Sequence, residues 1–243
     1  MSRFKLVCQY DGSNFSGWQL QKTKRTVQGE LAKALTKLNK GELVRIVGSG
    51  RTDAGVHAFA QVAHFDLDTR LGPNDLRKAI NGNLNEDCYV NLIELVNDEF
   101  HARFSAIKRN YIYSCMQNRY LLDRNKVWYT GKLDILKLNH AAEILIGEND
   151  FLSFSKKNTK IKDTICIIYQ SEWKKVGEIV SYNISGNRFL HHMVRYLVGS
   201  MVAISKGKYS IKQLKNELDN PKSNSKQFKA PSCGLVLNHI FYE

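Results

Sequence analysis

The sequence predicts an α+β fold: two βαββαβ halves, residues 1–104 and 105–243, each in the split-βαβ, ferredoxin-like arrangement. Three observations predict it. Short runs rich in β-branched and aromatic residues, several alternating with period two, read as strands. Between them lie stretches whose apolar residues step by three and four, the spacing of one helix face. The order of these stretches then repeats once along the chain, which points to an internal duplication with a cleft between the halves. The halves are expected to join through a largely antiparallel sheet with helices on one side.

FKLVCQY (4–10) is the first strand, stopped by Asp11-Gly12. Thr26 to Leu38 is a helix: Val27, Leu31, Ala34, Leu35 and Leu38 share a face, Thr26 is its N-cap and Glu30 sits in the first turn. VRIVGSG (44–50) and FAQVAHFDL (59–67) are strands, Pro73 to Asn81 a short helix with proline at its start, and CYVNLIELV (88–96) a fourth strand. The second half opens with the strand NYIYSCM (110–116), followed by a helix from Asp134 to Ile146. TICIIYQSEWK (164–174) and EIVSYNIS (178–185) form a hairpin around Val176-Gly177. Residues 189–205 have the strongest helical stripe, through Leu190, Met193, Val194, Leu197, Val198, Met201 and Val202. A short helix over 211–218 and the strand GLVLNHIFY (234–242) complete the half. Asn220-Pro221 and the KSNSKQFKA that follows are the most linker-like stretch.

Composition narrows the function. With 43% hydrophobic and 10% aromatic residues, the chain can build an ordinary globular core. The net charge of +13 argues for a polyanionic partner. The excess is spread over both halves, so a basic surface has to be assembled by folding. Five widely spaced cysteines without a CxxC exclude a disulfide framework and a cysteine zinc site, and they fit a reducing cytoplasm. Neither a secretory leader nor a run of 18 apolar residues is present, so no membrane span is expected.

The chemistry concentrates in GSGRTDAGVHAFAQ (48–61). Asp53 stands on a strand-connecting loop whose glycines allow a tight turn or close approach of a ligand. An aspartate bonding its own turn is the bland alternative. Arg51, two residues away, would keep the carboxylate ionised. Asp53, His57, His64 and Asp66 make a loose set of metal ligands, but no metal motif supports them, and His64 is expected to face solvent or a neighbour. No phosphate-binding loop, dinucleotide fingerprint or G-x-S-x-G elbow occurs. What remains is a lone carboxylate that can act as nucleophile, base or cation stabiliser without a cofactor. On the 189–205 helix, His191, His192, Arg195 and Gly199 lie opposite the apolar stripe, as a solvated face or as a basic face turned to a cleft, with Gly199 permitting close approach. FHARFSAIKRNYIY (100–113) interleaves Arg103, Lys108 and Arg109 with Phe104, Tyr111 and Tyr113: cations for phosphates, rings for unstacked bases. Lys156, Lys157, Lys160 and Lys162 would extend that surface. A catalytically silent RNA-binding protein and a metal-dependent RNA hydrolase fit the same charge pattern. The former has no need of Asp53, and chelators would expose the latter.

These blocks, taken together, resemble the tRNA pseudouridine synthase A family. GRTDAGVHA followed by QVAHF, FHARFSA with the later Arg109, Tyr111 and Tyr113, FL..MVR..VG, and AP..GL.L occur in the family's order almost end to end, with YDGSNFSGWQ (10–19) and TVQGEL (26–31) before them. The resemblance implies conversion of uridine to pseudouridine at positions 38 to 40 of the tRNA anticodon arm, in a central RNA-binding cleft. It implies no cofactor, no metal and a homodimer. It assigns catalysis to Asp53, held by an ion pair from Arg195. Tyr111 would pack on the target uracil, Arg51 would extrude and hold the nucleotide, and Leu235 would line the pocket. One departure stands out: where the family has an arginine before Thr-Ile, this chain has Asp163, a negative charge at a position expected to make a local RNA or core contact.

Overall fold

A computed structural model describes residues 1–156, 163–223 and 228–243. The chain divides into two compact units, Met1–Ile107 with Val236–Glu243, and Lys108–Leu235. The expected boundary at 104/105 counts the final strand with the second half; by its contacts that strand belongs with the first unit. The reason is pairing: sequence periodicity marks a strand but does not name its neighbour.

In the first unit the central strand β1 (Ser2–Tyr10) lies antiparallel to both β3 (His57–Leu67) and β4 (Cys88–Val96). The short β2 (Ile46–Gly48) pairs antiparallel with β3 at Ala63–Phe65. β10 (Leu235–Phe241) pairs parallel with β3 at His57 and Ala58. Helices α1 (Val27–Leu38) and α2 (Pro73–Asn81) form where the pattern places them. The Thr26 side chain caps α1 by accepting from Gly29 N, and α1 buries Val27, Leu31, Ala34 and Leu35. The sheet core holds Leu6, Val62 and Phe65, with Phe4 stacked on Phe65 at 5.6 Å between ring centroids. Arg3 donates from Nε and Nη2 to the two oxygens of Asp66 at 2.8 and 2.9 Å, a bidentate pair that holds the carboxyl below its ordinary range.

The second unit has strands β5 (Lys108–Met116), β9 (Ile179–Gly186), β8 (Ile165–Val176) and β7 (Gly147–Asp150) in that order, each antiparallel to the next, with β6 (Trp128–Tyr129) parallel to β5. β6 and β7 escape sequence reading for plain reasons. β6 has two residues, and β7 is the polar GEND, without an apolar alternation to mark it. α3 (Ile135–Glu143) is capped by Asp134, whose carboxylate accepts from Leu136 N and Lys137 N. α5 (Ile211–Asp219) opens with a reciprocal capping box between Ser210 and Gln213. α4 (Met193–Ser205) starts four residues later than its apolar stripe predicts. His192 is in the left-handed region at φ 66°, which no α-helix tolerates, so His191 and His192 precede the helix and do not share its face. Leu190 still buries its side chain, from a turn closed by Met193 N on Leu190 O, and that burial mimics one more helical step. Among the described residues no helix is long and apolar enough to cross a membrane.

His64 on β3 gives a pH prediction. It is 5% exposed, and its Nδ1 accepts from Ala102 N at 3.1 Å, which ties the FHARFSA segment to the sheet. Burial, then the neighbouring His101 and Arg3, push its pKa down from 6.5 to about 4. Above pH 6.5 the ring is neutral folded and unfolded, and its contribution to stability is complete. As pH falls from 6.5 towards 4, the unfolded chain binds a proton that the folded state refuses, and up to about 3 kcal/mol is lost. Below 4 this group adds no further slope. Denaturant melts across that window should flatten in His64→Asn, which keeps an acceptor for Ala102 and does not titrate. An unchanged slope would remove His64 as its source.

Candidate catalytic site

Eight residues connect β2 to β3, and Asp53 sits in their middle, half-buried. The end of β1 and the segment after it clamp this loop from several sides. Trp18 N donates to Thr52 O at 3.1 Å, and Tyr10 Oη lies 2.8 Å from Thr52 Oγ1. Gly55 N donates to Phe15 O at 3.3 Å. Val56 N returns to Asp53 O at 3.2 Å and closes a four-residue turn whose third residue, Gly55, has φ 77°; glycine takes that conformation without the strain of a side chain.

The glycines divide by purpose. A Cβ on Gly48 would stand 2.6 Å from the buried Trp18 indole, so Gly48 serves packing and not ligand approach. Gly50 has nothing within 4 Å of its Cβ direction and is the one that leaves space. On the other side of the clamp, a Cβ on Gly12 would meet Val56 O at 2.0 Å. YDGSNFSGW is thus the cradle of the aspartate loop.

Arg51 does not attend to Asp53. Its side chain is exposed, and Nε donates to Gln19 Oε1 at 2.7 Å. The other residues weighed as metal ligands have partners within the same unit. Asp66 is taken by Arg3 and His64 by Ala102. His57 Nδ1 lies 3.1 Å from Gly12 N and 3.2 Å from an Asp11 carboxylate oxygen: a neutral ring accepts the former, a protonated ring donates to the latter.

In the second unit, Arg195 stands in the first turn of α4. Its Nε donates to Ala230 O at 2.9 Å, and Ala230 N donates back to Arg195 O at 3.0 Å. One turn on, a Cβ on Gly199 would lie 1.9 Å from Phe228 O. The close approach expected of Gly199 is therefore made by the protein's own backbone. Tyr111 and Tyr113 share a face of β5 by alternation, yet they differ. Tyr113 is fully buried and donates to Pro231 O at 2.9 Å, and burial drives its phenol far above the ordinary range. Tyr111 is half-buried, edge-on to Phe189 at 5.2 Å. Leu235 is buried just past the turn closed by Leu235 N on Ser232 O. Gly234 admits the Tyr113 ring, which would lie 2.7 Å from a Cβ there. The blocks around Arg195, Tyr111 and Leu235 are therefore parts of one packed scaffold.

The basic residues are partly engaged. Arg109 Nη1 donates to Asn187 O at 2.7 Å, and Arg103 lies over the ring of Phe104, which is 76% exposed. Lys156 is exposed; Lys157, Lys160 and Lys162 fall outside the described residues. Asp163 has its own cation: Arg188 Nη1 donates to its carboxylate at 2.8 Å and Nη2 to its carbonyl at 3.2 Å. That pair is exposed and contributes little to stability, but it neutralises the charge that departs from the family pattern. Sequence reading gave no role to Gln19, Phe189 or Tyr10. Their signal lay in the YDGSNFSGWQ block and in the phenylalanine that opens FL..MVR.

A family model described as tRNA pseudouridine synthase matches residues 6–105 and 141–243. This chain belongs to the tRNA pseudouridine synthase family. A tRNA pseudouridine synthase A of Maricaulis maris is 40% identical over 100% of this chain and 98% of its own length. That of Maridesulfovibrio salexigens is 39% identical over 100% and 91%, and that of a Geobacillus species 37% over 99% and 98%. A much fainter likeness, TM-score 0.36 at 10% identity over 96% of this chain and 57% of the other, links it to a chain of a Cbf5–Nop10–Gar1 complex and carries no weight. Family members are isomerases named for tRNA, the GRTDAG, MVR and GL.L blocks lie inside the matched segments, and FHARFSA runs one residue past the end of the first.

Proposed function

We propose that this protein isomerises uridine to pseudouridine in tRNA, at positions 38 to 40 of the anticodon arm, with Asp53 as the catalytic carboxylate. The observation that carries the reading is the end-to-end likeness, at 37 to 40% identity, to proteins named tRNA pseudouridine synthase A. The reading includes two ferredoxin-like halves with an RNA-binding cleft, a cytoplasmic homodimer, and chemistry without metal or cofactor.

The reaction breaks the C1′–N1 bond, turns the detached uracil and joins C1′ to C5; the C5 proton is then released and N1 takes up a proton. Bond breaking develops positive charge on the sugar, which an adjacent carboxylate stabilises or captures at C1′. Addition of the carboxylate to C6 and removal of a sugar proton are the other routes open to Asp53. Arg195 holds Asp53 ionised and aimed. Tyr111 stacks on the uracil so that it turns without leaving, and Leu235 lines the pocket. Extruding the nucleotide costs a few kcal/mol, which Arg51 offsets by filling the vacated space.

Release of tritium from tRNA carrying 5-tritiated uridine tests the reading; tRNA that keeps its tritium through prolonged incubation rejects it. Two further results are expected. Arg195→Lys should slow turnover on the order of ten- to a hundredfold, the worth of a charge-assisted hydrogen bond; a wild-type rate would remove its role. Affinity for tRNA should fall steeply with salt, log K against log[salt] having a slope of about −0.7 to −0.9 per phosphate contacted. A flat response in a filter-binding titration would dismiss the basic surface.

A further inference from the structure

Arg51 is the end of a directed chain of amides. Gln28, half-buried in the first turn of α1, donates from Nε2 to Ile46 O of β2 at 2.8 Å. Its Oε1 accepts from Leu20 N and from Gln19 Nε2, both at 2.8 Å. Gln19 Oε1 in turn accepts from Arg51 Nε at 2.7 Å. The direction of every amide is fixed by its ends. A main-chain carbonyl can only accept, so the Gln28 amino group must face Ile46. A guanidinium can only donate, so the Gln19 oxygen must face Arg51. Flipping either side chain would place donor on donor or acceptor on acceptor. Among the described residues Arg51 has no other hydrogen bond or ion pair, so both terminal nitrogens are presented to solvent while Nε is tied.

We propose that Gln19, anchored by Gln28, is a positioning residue that pre-orients the Arg51 guanidinium for RNA. An exposed arginine otherwise samples many rotamers, and ordering it on contact with RNA opposes binding of the reacting nucleotide. The relay orders it beforehand, with its two-nitrogen face outward. Gln19 itself is exposed and supports no core, so its loss acts on the reaction and not on the fold. The kinetic side of this proposal rests on the reading of Arg51 given above.

The test uses the full chain and has two arms. In the first, nuclear spin relaxation of the Arg51 Nε–H, assigned by its loss in Arg51→Lys, should report an ordered group in the wild type and a mobile one in Gln19→Ala. Equal order in both overturns the relay. In the second, single-turnover pseudouridine formation in unmodified tRNA should slow on the order of tenfold in Gln19→Ala, the worth of one hydrogen bond to a charged group. The tRNA affinity should shift less than about twofold and the melting temperature not at all. In the Arg51→Ala background the Gln19 substitution should cost nothing more; the same loss in both backgrounds overturns the coupling. If Arg51→Ala alone turns over at the wild-type rate, the role of Arg51 fails instead, and the relaxation arm still decides the relay.

Discussion

Asp53→Ala should abolish tritium release from 5-tritiated uridine in tRNA while leaving tRNA affinity close to wild type. Each route open to the carboxylate puts it in contact with reacting atoms, so its removal should cost at least about a thousandfold, within the range that a nucleophile or a positioned base supplies. Binding should survive because a carboxylate adds nothing favourable to contacts with phosphates. The aspartate loop is held by main-chain bonds from Trp18, Gly55 and Val56, none of which uses the Asp53 side chain, so the variant should fold. Asp53→Asn keeps the shape and removes the charge, and it should be as inactive as the alanine variant. Substantial residual turnover in either would take Asp53 out of the chemistry.

Gly12→Ala should have the second largest effect, from a residue far from Asp53 in sequence. Its Cβ would stand 2.0 Å from Val56 O, a main-chain atom that cannot step aside alone. Overpacking of this kind costs about 1 to 3 kcal/mol, sometimes more. The displaced atom belongs to the turn that begins at Asp53, and misplacing a catalytic group by about 1 Å can cost a hundredfold in rate. Turnover should therefore fall by more than the folded fraction does, measured by urea melts beside kinetics on the same preparation. Gly50→Ala, with open space at its Cβ, should leave stability unchanged and serves as the control. Wild-type stability in Gly12→Ala would mean that the clamp yields without cost.

Much of this was legible in the sequence because periodicity reports burial directly. Thr26, Asp134 and Pro73 mark helix starts by local chemistry, and all three stand where that chemistry places them. The loop carrying Asp53 was located by its flanking strands. What the sequence concealed was partnership. Arg51 is two residues from Asp53 yet turns to Gln19, because a long side chain goes to the acceptor that geometry offers and not to the nearest charge in sequence. Gly48 and Gly199 read as room for a ligand, but an indole and a main-chain carbonyl use that room. His191 and His192 read as helix because a buried Leu190 continues the stripe while the backbone has already turned.

The pairing of β10 with His57 and Ala58 of β3 has a consequence for biosynthesis. The second unit is one unbroken stretch of chain, whereas the first is completed by residues translated after the whole of the second. While the ribosome is still reading the second unit, β2 already can cover Ala63 to Phe65, but the start of β3 waits with its edge open. That interval exposes strand edge at the root of the aspartate loop. The half of the nascent chain that carries the aspartate loop thus comes last to its final form, although it is made first.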